Sequence, residues 1–413
     1  MRPNHSPEYV QSDNSLDVAP PYFFPNVDVQ GFVIEADLKA VQKYCDDFLN
    51  LGTREERGFE YRAVPAWPFA QLLFLHYPVM ISAAPDVVKG GGGRDSENPI
   101  PSNNPDFIVP MADRGTTSQN EVFAAIPVMR YGVGPKGLLV ESELEWILPF
   151  IVVDQPWSCV CGREMLGLGK MMSRIDIGPG YLPGSFLGQV HMPGWDGISP
   201  EMQHDLPFLY VQTGPALPTF RATEPLKSLA TAFQAKPVRW ALEKIAGLSN
   251  FVDDASLGLV PTTMQTVALK QYRDAVDPEC AVYQALVGCR SKYSEISNLD
   301  FYDERDIWVM FNYVGSFREA VDVILGDELK KPLVVYPELD KTVSITGRMA
   351  KVVGAFKFSA NVDFDDMRVL HEFDIRKDRK EGGHGQVLKR GSSDLTARWF
   401  RPLKGFFGPR PMP

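Results

Sequence analysis

Apolar runs of strand length recur along this chain, at residues 29–35, 70–75, 122–131, 144–153, 264–272, 281–287, 307–313, 343–346 and 355–362. Segments this short, rich in β-branched and aromatic residues and separated by Gly, Pro, Asn and Asp, predict strands rather than helices. Glycine and proline number 34 each and aromatic residues make up 11% of the 413, which also favours a strand-rich, loop-rich body over a helical bundle. Hydrophobic residues make up 44%, enough to bury a sizeable core, so a disordered or disulfide-stapled scaffold is excluded.

Helical periodicity is confined to a few places. Asp37 is placed to cap a helix whose apolar positions, Leu38, Val41, Cys45, Phe48 and Leu49, follow a 3.6-residue period. Leu226, Leu229, Ala230 and Phe233 share one helical face and Leu242, Ile245 and Leu248 another, with Pro237 separating the two helices. A further helix is predicted from Ser316, with Phe317, Ala320, Val321 and Ile324 on one face. The organisation expected is a mobile arm over residues 1–19, one domain over 20–375 and a basic tail over 376–413. Within the domain, 89–120 reads as a flexible insertion, because Gly90 to Gly93 and the Ser-, Asn-, Pro- and Asp-rich run after them show no periodicity. Residues 222–255 read as a helical insertion.

The net charge of -10 argues against nucleic acid as a partner. The first 17 residues are polar and lack the apolar stretch of a secretory signal, and the longest apolar run, 147–153, is far short of the roughly 20 residues that span a bilayer. A cytoplasmic protein without membrane contact is therefore expected. The cysteines Cys45, Cys159, Cys161, Cys280 and Cys289 are scattered, and Cys159 and Cys161 stand too close for the usual zinc spacing, so reduced thiols are expected. The six histidines show no ligand spacing, and His76, within an apolar strand, reads as a core histidine. No metal site is expected. Signatures of zinc proteases, of serine hydrolases and of calcium loops are missing, and the glycine run at 90–93 lacks the Lys-Ser or Lys-Thr of a phosphate-binding loop.

The segment that carries chemistry runs from Leu148 to Met172. An apolar strand ends at Asp154, a short helical stretch follows, then Gly162-Arg163-Glu164, then a glycine-rich turn bearing Lys170. The neighbours of that lysine, Met165, Leu166, Leu168, Met171 and Met172, are apolar, and no carboxylate lies beside it in the turn. A solvated lysine usually has polar company, so Lys170 is a candidate for burial. An amine attacks a carbonyl only when neutral, and desolvation disfavours the ammonium, so a lysine in a dry pocket is suited to forming a Schiff base. From the residues alone, a lysine that snorkels from a strand end is the alternative.

The same segment resembles the hallmark of the acetoacetate decarboxylase superfamily, in which an apolar strand ends in Asp and is followed by Gly-Arg-Glu and a turn with the Schiff-base lysine. Asp154, Gly162-Arg163-Glu164 and Lys170 stand at the family's spacing without a gap. Pro20-Pro21-Tyr22-Phe23-Phe24 is similar to the family's opening, Glu121 with Ala125-Ile126-Pro127-Val128 to its active-site glutamate and the strand that follows, and 267–287 to a later strand pair. The resemblance covers most of 20–215 and 262–295. Activation of the lysine is a property of that family rather than a deduction from these residues.

The resemblance implies an α+β fold built on an antiparallel closed or conical β-barrel, with the helical insertion and the C-terminal extension as additions. It implies a homo-oligomer that needs neither metal nor organic cofactor. Lys170 and Glu121 are the implied catalytic pair, the lysine pointing inward from a turn at the barrel mouth and the glutamate facing it across the cavity. Asp154, Arg163 and Glu164 are implied as structural support. Val27, Gln71 and Met171 are the expected substrate-binding positions, and they are where the chain departs from the family's decarboxylases. Met171 stands where those enzymes carry a second lysine, Val27 falls at the register of a pocket arginine, and Gln71 is nearest to a second pocket glutamate. The implied function is that of a lyase acting on a small keto acid, with decarboxylation of a β-keto acid through a lysine imine as the first reading. An aldolase- or dehydratase-type Schiff-base enzyme and a non-catalytic small-ligand-binding barrel are the alternatives. The lost pocket cations favour the aldolase or dehydratase type.

Overall fold

Strands make up most of the chain that the computed structural model describes, which is residues 21–82, 117–195, 203–217, 263–312, 318–326, 347–364 and 367–373. They are β1 (Tyr22–Glu35), β2 (Phe59–Ala63), β3 (Phe69–Ser82), β4 (Thr117–Val133), β5 (Leu139–Val153), β6 (Lys170–Met172), β7 (Arg174–Pro179) and β8 (Phe186–Trp195). The later half adds β9 (Gln203–Gln212), β10 (Ala216–Leu217), β11 (Thr263–Arg273), β12 (Ala281–Tyr302), β13 (Trp308–Asn312), β14 (Gly347–Ala350), β15 (Val352–Phe364) and β16 (Arg368–Glu372). The α-helices are short: α1 (Leu38–Tyr44), α2 (Arg54–Arg57), α3 (Pro156–Glu164) and α4 (Arg318–Leu325).

The predicted strands fall inside observed ones, with two exceptions: 307–313 overruns β13, since Ile307 precedes the strand and 313 lies outside the described residues, and 343–346 lies outside the described residues altogether. Asp37 does cap α1, its Oδ1 accepting from the backbone N–H of Lys39 and Ala40 at 2.8 and 3.0 Å, and the helix runs on as a π-helical turn over Cys45–Leu49. The expected helix from Ser316 is described from Arg318 as α4, with Val321 and Ile324 fully buried, while Ser316 and Phe317 lie outside the described residues. The arm 1–19, the helical insertion 222–255 and the tail 376–413 lie outside the described residues. Of the expected insertion 89–120, residues 117–120 belong to β4, where Gln119 pairs with Tyr77 and Asn120 with His76 of β3. Among the described residues, no helix is long and apolar enough to cross a membrane.

The larger sheet follows the order β2-β4-β3-β1-β15-β12-β11-β5-β6, and β4 also pairs with β5. Seven strands, β4, β3, β1, β15, β12, β11 and β5, thereby form a ring of pairings. The ring is antiparallel apart from a single parallel bridge, Thr266 of β11 to Trp146 of β5. A second sheet of five strands runs β14-β13-β9-β8-β7.

Two apolar cores follow from the two faces of the ring strands. Phe32 and Ile34 of β1, Leu72 and Phe74 of β3, and Phe150 and Val152 of β5 share one core with Phe186, Phe208 and Phe311 of the second sheet. Phe150 meets Phe208 edge-on at 5.3 Å, and Phe32 meets Phe186 at 5.8 Å. The alternate residues, Val33, Leu73, Leu75 and Ile151, belong to the other core. Strands buried on both faces read as continuous apolar runs, which is why Leu72-Leu73-Phe74-Leu75 shows no alternation in sequence. Each such side chain contributes about 1.5–3 kcal/mol when fully buried.

Candidate active site

A cavity gathers side chains from every strand of the ring. On β4, Thr117, Gln119, Glu121 and Phe123 line it, alternate residues that share one face. Tyr22 and Phe24 come from β1, Tyr77 from β3, Ile151 from β5, Thr266 from β11, Tyr293 from β12 and Phe364 from β15. Ser158, Cys161 and Gly162 of α3, with Leu166 and Leu168 of the following turn, complete the wall beside Lys170.

Strand register puts Lys170 there. Parallel neighbours need a crossover of a dozen or more residues, and the stretch from Asp154 to Gly169, with α3 in it, carries the chain from the end of β5 back to β6. Lys170 then pairs with Ile151, and Ile151 pairs on its other side with Phe123 of β4. Phe123, Ile151 and Lys170 form one row across three strands, and Glu121 lies two residues along β4 on the same face. The Nζ of Lys170 is 2.6 Å from Glu121 Oε2 and donates to Ser158 Oγ at 2.9 Å. Both ends of the pair are nearly buried, with side chains 9% and 10% exposed.

This placement corrects two expectations. Glu121 touches Lys170 rather than facing it across the cavity, and the lysine that has no carboxylate beside it in sequence has one in space. Lys170 also begins a strand instead of sitting in the turn. Desolvating two charges is costly, and further hydrogen bonds offset part of that cost. Tyr77 OH donates to Glu121 Oε1 and Gln119 Nε2 to Oε2, both at 3.4 Å. Burial, and then the charge of Glu121, push the Tyr77 and Tyr293 phenols above their ordinary range, so both stay protonated at neutral pH and Tyr77 keeps the proton it donates to Glu121.

The Gly-Arg-Glu motif lies inside α3 rather than after it, and each member has a traceable role. A Cβ on Gly162 would come within 2.7 Å of Lys170 Cε and closer still to Cδ, so the glycine leaves room for the lysine stem. Arg163 Nη1 donates to the Lys170 carbonyl at 3.1 Å. Glu164 takes part through its carbonyl, which accepts from Tyr272 OH at 2.7 Å. Gly167 turns the chain with φ of 64°, and a Cβ there would also press on Lys270, whose Nζ donates to the Met165 carbonyl at 3.2 Å. Asp154 ties the end of β5 to β4. Its two carboxylate oxygens accept from the Asn120 backbone N–H and side-chain amide, each at 2.8 Å, one residue before Glu121.

The three expected substrate-binding positions stand off the cavity wall, each for a geometric reason. Val27 is fully buried in the apolar core, and β1 shifts register between Phe24 and Val27, so its place does not follow from the opening motif. Gln71 is buried opposite Ala125, six residues before Tyr77 on β3 and so roughly 20 Å along the strand. Met171 follows Lys170 on β6, and its side chain, 36% exposed, leaves by the other face. His76 is exposed rather than in the core, its Nδ1 lying 2.8 Å from Asn120 Oδ1.

Sequence reasoning missed Ser158, Gln119, Tyr77 and Tyr293. A signal existed for Ser158, since it shares a helical face with Cys161 and Gly162 at i, i+3 and i+4. Gln119 shares the face of Glu121 by strand alternation but fell within the expected insertion 89–120, and Tyr77 and Tyr293 are set by pairing between strands far apart in the chain. Among the described residues, no group of three His, Cys, Asp or Glu could hold a metal ion.

No family model and no curated protein matches the chain. The solved structures similar to it include acetoacetate decarboxylases, an acetoacetate decarboxylase-like enzyme and the enduracididine biosynthesis enzyme MppR, at low identity. Acetoacetate decarboxylase from Legionella pneumophila is 11% identical with a TM-score of 0.42, over 89% of this chain and 92% of that one. The enduracididine biosynthesis enzyme MppR, complexed with the condensation product of pyruvate and imidazole 4-carboxaldehyde, is 13% identical with a TM-score of 0.45, over 89% and 99%. An acetoacetate decarboxylase-like enzyme from Sphingomonas wittichii RW1 is 11% identical with a TM-score of 0.43, over 89% and 100%.

Proposed function

We propose that this chain is a Schiff-base-forming lyase that works through Lys170. The observation that carries the reading is the buried Nζ on a largely apolar cavity wall, 2.6 Å from Glu121 and 2.9 Å from Ser158. Lys170 as the ammonium hands a proton to Glu121. The neutral Nζ adds to a carbonyl carbon while the π pair moves to oxygen, and one proton passes from the nitrogen to that oxygen to give the carbinolamine. Glu121 then protonates the carbinolamine hydroxyl, water leaves, and a protonated imine remains. The proton balance closes, since the ammonium and the carbonyl become the iminium and one water. Glu121 serves as general base and then general acid, and Ser158 orients Nζ. The protonated imine takes up the electron pair of a breaking adjacent bond. We read the seven-stranded ring as a closed barrel whose apolar interior keeps bulk water from that intermediate.

Decarboxylation of a β-keto acid and an aldolase- or dehydratase-type reaction share this imine. The electrostatics of the wall favour the second type. Among the described residues that line the cavity, Lys170 is the one cation, and it already pairs with Glu121, so none of them stands free to hold a substrate carboxylate. The test is borohydride reduction with short keto acids, ketones and aldehydes, followed by peptide mass spectrometry. The expected result is a stable adduct on the Lys170 peptide that is absent in Lys170→Ala and Lys170→Arg. Arginine keeps the charge but offers no neutral amine. An adduct on another lysine would sink the assignment, and ligand binding without any adduct would favour a non-catalytic barrel.

A further inference from the structure

We infer that the cavity takes an uncharged hydroxy ketone or hydroxy aldehyde with an apolar body, not a keto acid. The inference rests on the imine reading above and adds the class of substrate. Three observations carry it. The wall around the lysine is apolar and aromatic, with Phe24, Phe123, Ile151, Leu166 and Leu168 among its members. Its charges are Lys170 and Glu121, in contact with each other, so a substrate carboxylate would lie near Glu121 with no second cation among the described lining residues. Like charges brought together in a desolvated site select strongly against a partner.

The third observation concerns Gln119. Its side chain lines the cavity two residues from Glu121 on the same face of β4 and is 4% exposed. Its Nε2 is turned toward Glu121, and its Oε1 has no hydrogen-bond partner among the described residues. A buried acceptor left unmade is costly, so a bound molecule that brings a donor relieves that cost. A hydroxyl near the carbonyl supplies the donor and remains uncharged. Gln119 is thus a specificity residue, which accepts from the substrate hydroxyl while Lys170 holds the carbonyl carbon.

The experiment uses the full chain and three probes with one phenyl body, each reduced with borohydride and read as labelling of the Lys170 peptide. Benzylacetone is the uncharged ketone. Its 2-oxo acid counterpart carries a carboxylate in place of the methyl. The aldol of benzaldehyde with acetone carries the added hydroxyl. The concentration of benzylacetone giving half-maximal labelling should be lower than that of the oxo acid by on the order of a hundredfold. The hydroxy ketone should label at a concentration about five- to tenfold lower again. In Gln119→Leu the ratio between hydroxy ketone and benzylacetone should fall to about one, because the acceptor is gone. Labelling by the oxo acid at equal or lower concentration overturns the inference and leaves the imine intact. No preference for the hydroxy ketone in the unmutated chain overturns the role of Gln119 and with it the hydroxy class. No Lys170 adduct with any probe brings down the imine reading itself, and the inference with it.

Discussion

Lys170 fits where it does because residue 162 is a glycine, and its ammonium meets the carboxylate of Glu121. The stem of the lysine passes over Gly162 so closely that a Cβ there would overlap Cδ and crowd Cε. In Gly162→Ala the stem has to rotate, which draws Nζ away from Glu121. Overpacking of this kind costs about 1–3 kcal/mol, so the urea midpoint should drop with the m-value unchanged. Trapping at Lys170 should fall by more than the loss of folded protein accounts for. Equal trapping per folded molecule would mean that the glycine serves packing alone. Glu121→Gln tests the proton acceptor separately, because it keeps the size and still accepts from Nζ. Single-turnover imine formation should slow by roughly 10²–10⁴-fold, the usual worth of a positioned base. A rate within about twofold of the parent would assign the proton to another group. Apolar sequence neighbours identified Lys170 as a residue to bury, and burial is what the structure shows. They could not reveal Glu121, because the two are 49 positions apart in the chain and meet only through the registers of β4, β5 and β6.

Between residue and molecule, the element that matters is the crossover from β5 to β6. Asp154 anchors its start by two hydrogen bonds to Asn120, and that anchor fixes where Glu121 stands relative to β5. A hydrogen bond to a charged group contributes about 1.5–3 kcal/mol, and partial exposure of Asp154 reduces it. Asp154→Ala should therefore destabilise by about 1–3 kcal/mol and lower the trapping rate. Asp154→Asn should fall between, since its oxygen can still accept from the backbone while its amide meets another amide. Chemical denaturation beside trapping kinetics checks both, and an Asp154→Ala that traps at the parental rate would confine Asp154 to stability. Elements of this size were legible wherever one chain segment carries the whole signal. The strand runs within the described residues, the cap at Asp37 and the buried Val321 and Ile324 of α4 are local patterns, and each is observed. The extent of α3 was misjudged because Gly162 reads as a helix stop, whereas here it is an interior residue that gives up its side chain to a neighbour. Val27 was misplaced by the register shift in β1, which leaves no mark in composition. Met171 shows the opposite case, since strand alternation alone would have sent it away from the cavity once Lys170 was known to start a strand.

For the whole molecule, charge is the property that sequence alone makes quantitative. Residues 376–413 hold ten Lys or Arg against three Asp or Glu, which leaves -17 on the rest of a chain whose total is -10. A body of that charge repels its own copies, and a basic segment on each copy can offset the repulsion by lying on the acidic surface of itself or of a neighbour. If the segment lies between copies, its removal weakens assembly; if it stays on its own body, removal also strips shielding from that body, so in both cases the shortened chain associates less. Exposed charges are screened over about 10 Å at 0.1 M salt and about 30 Å at 0.01 M. We therefore propose a homo-oligomer, and expect a chain ending at residue 375 to sediment as a smaller species than the full chain at low ionic strength. The difference between the two should shrink as salt is added, because screening weakens in the full chain the contacts that the shortened chain has already lost. Analytical ultracentrifugation of both chains at low and moderate salt reads this directly. A full chain that is monomeric at every concentration and salt removes the oligomer, and a shortened chain that associates as tightly as the full one removes the role of the basic segment.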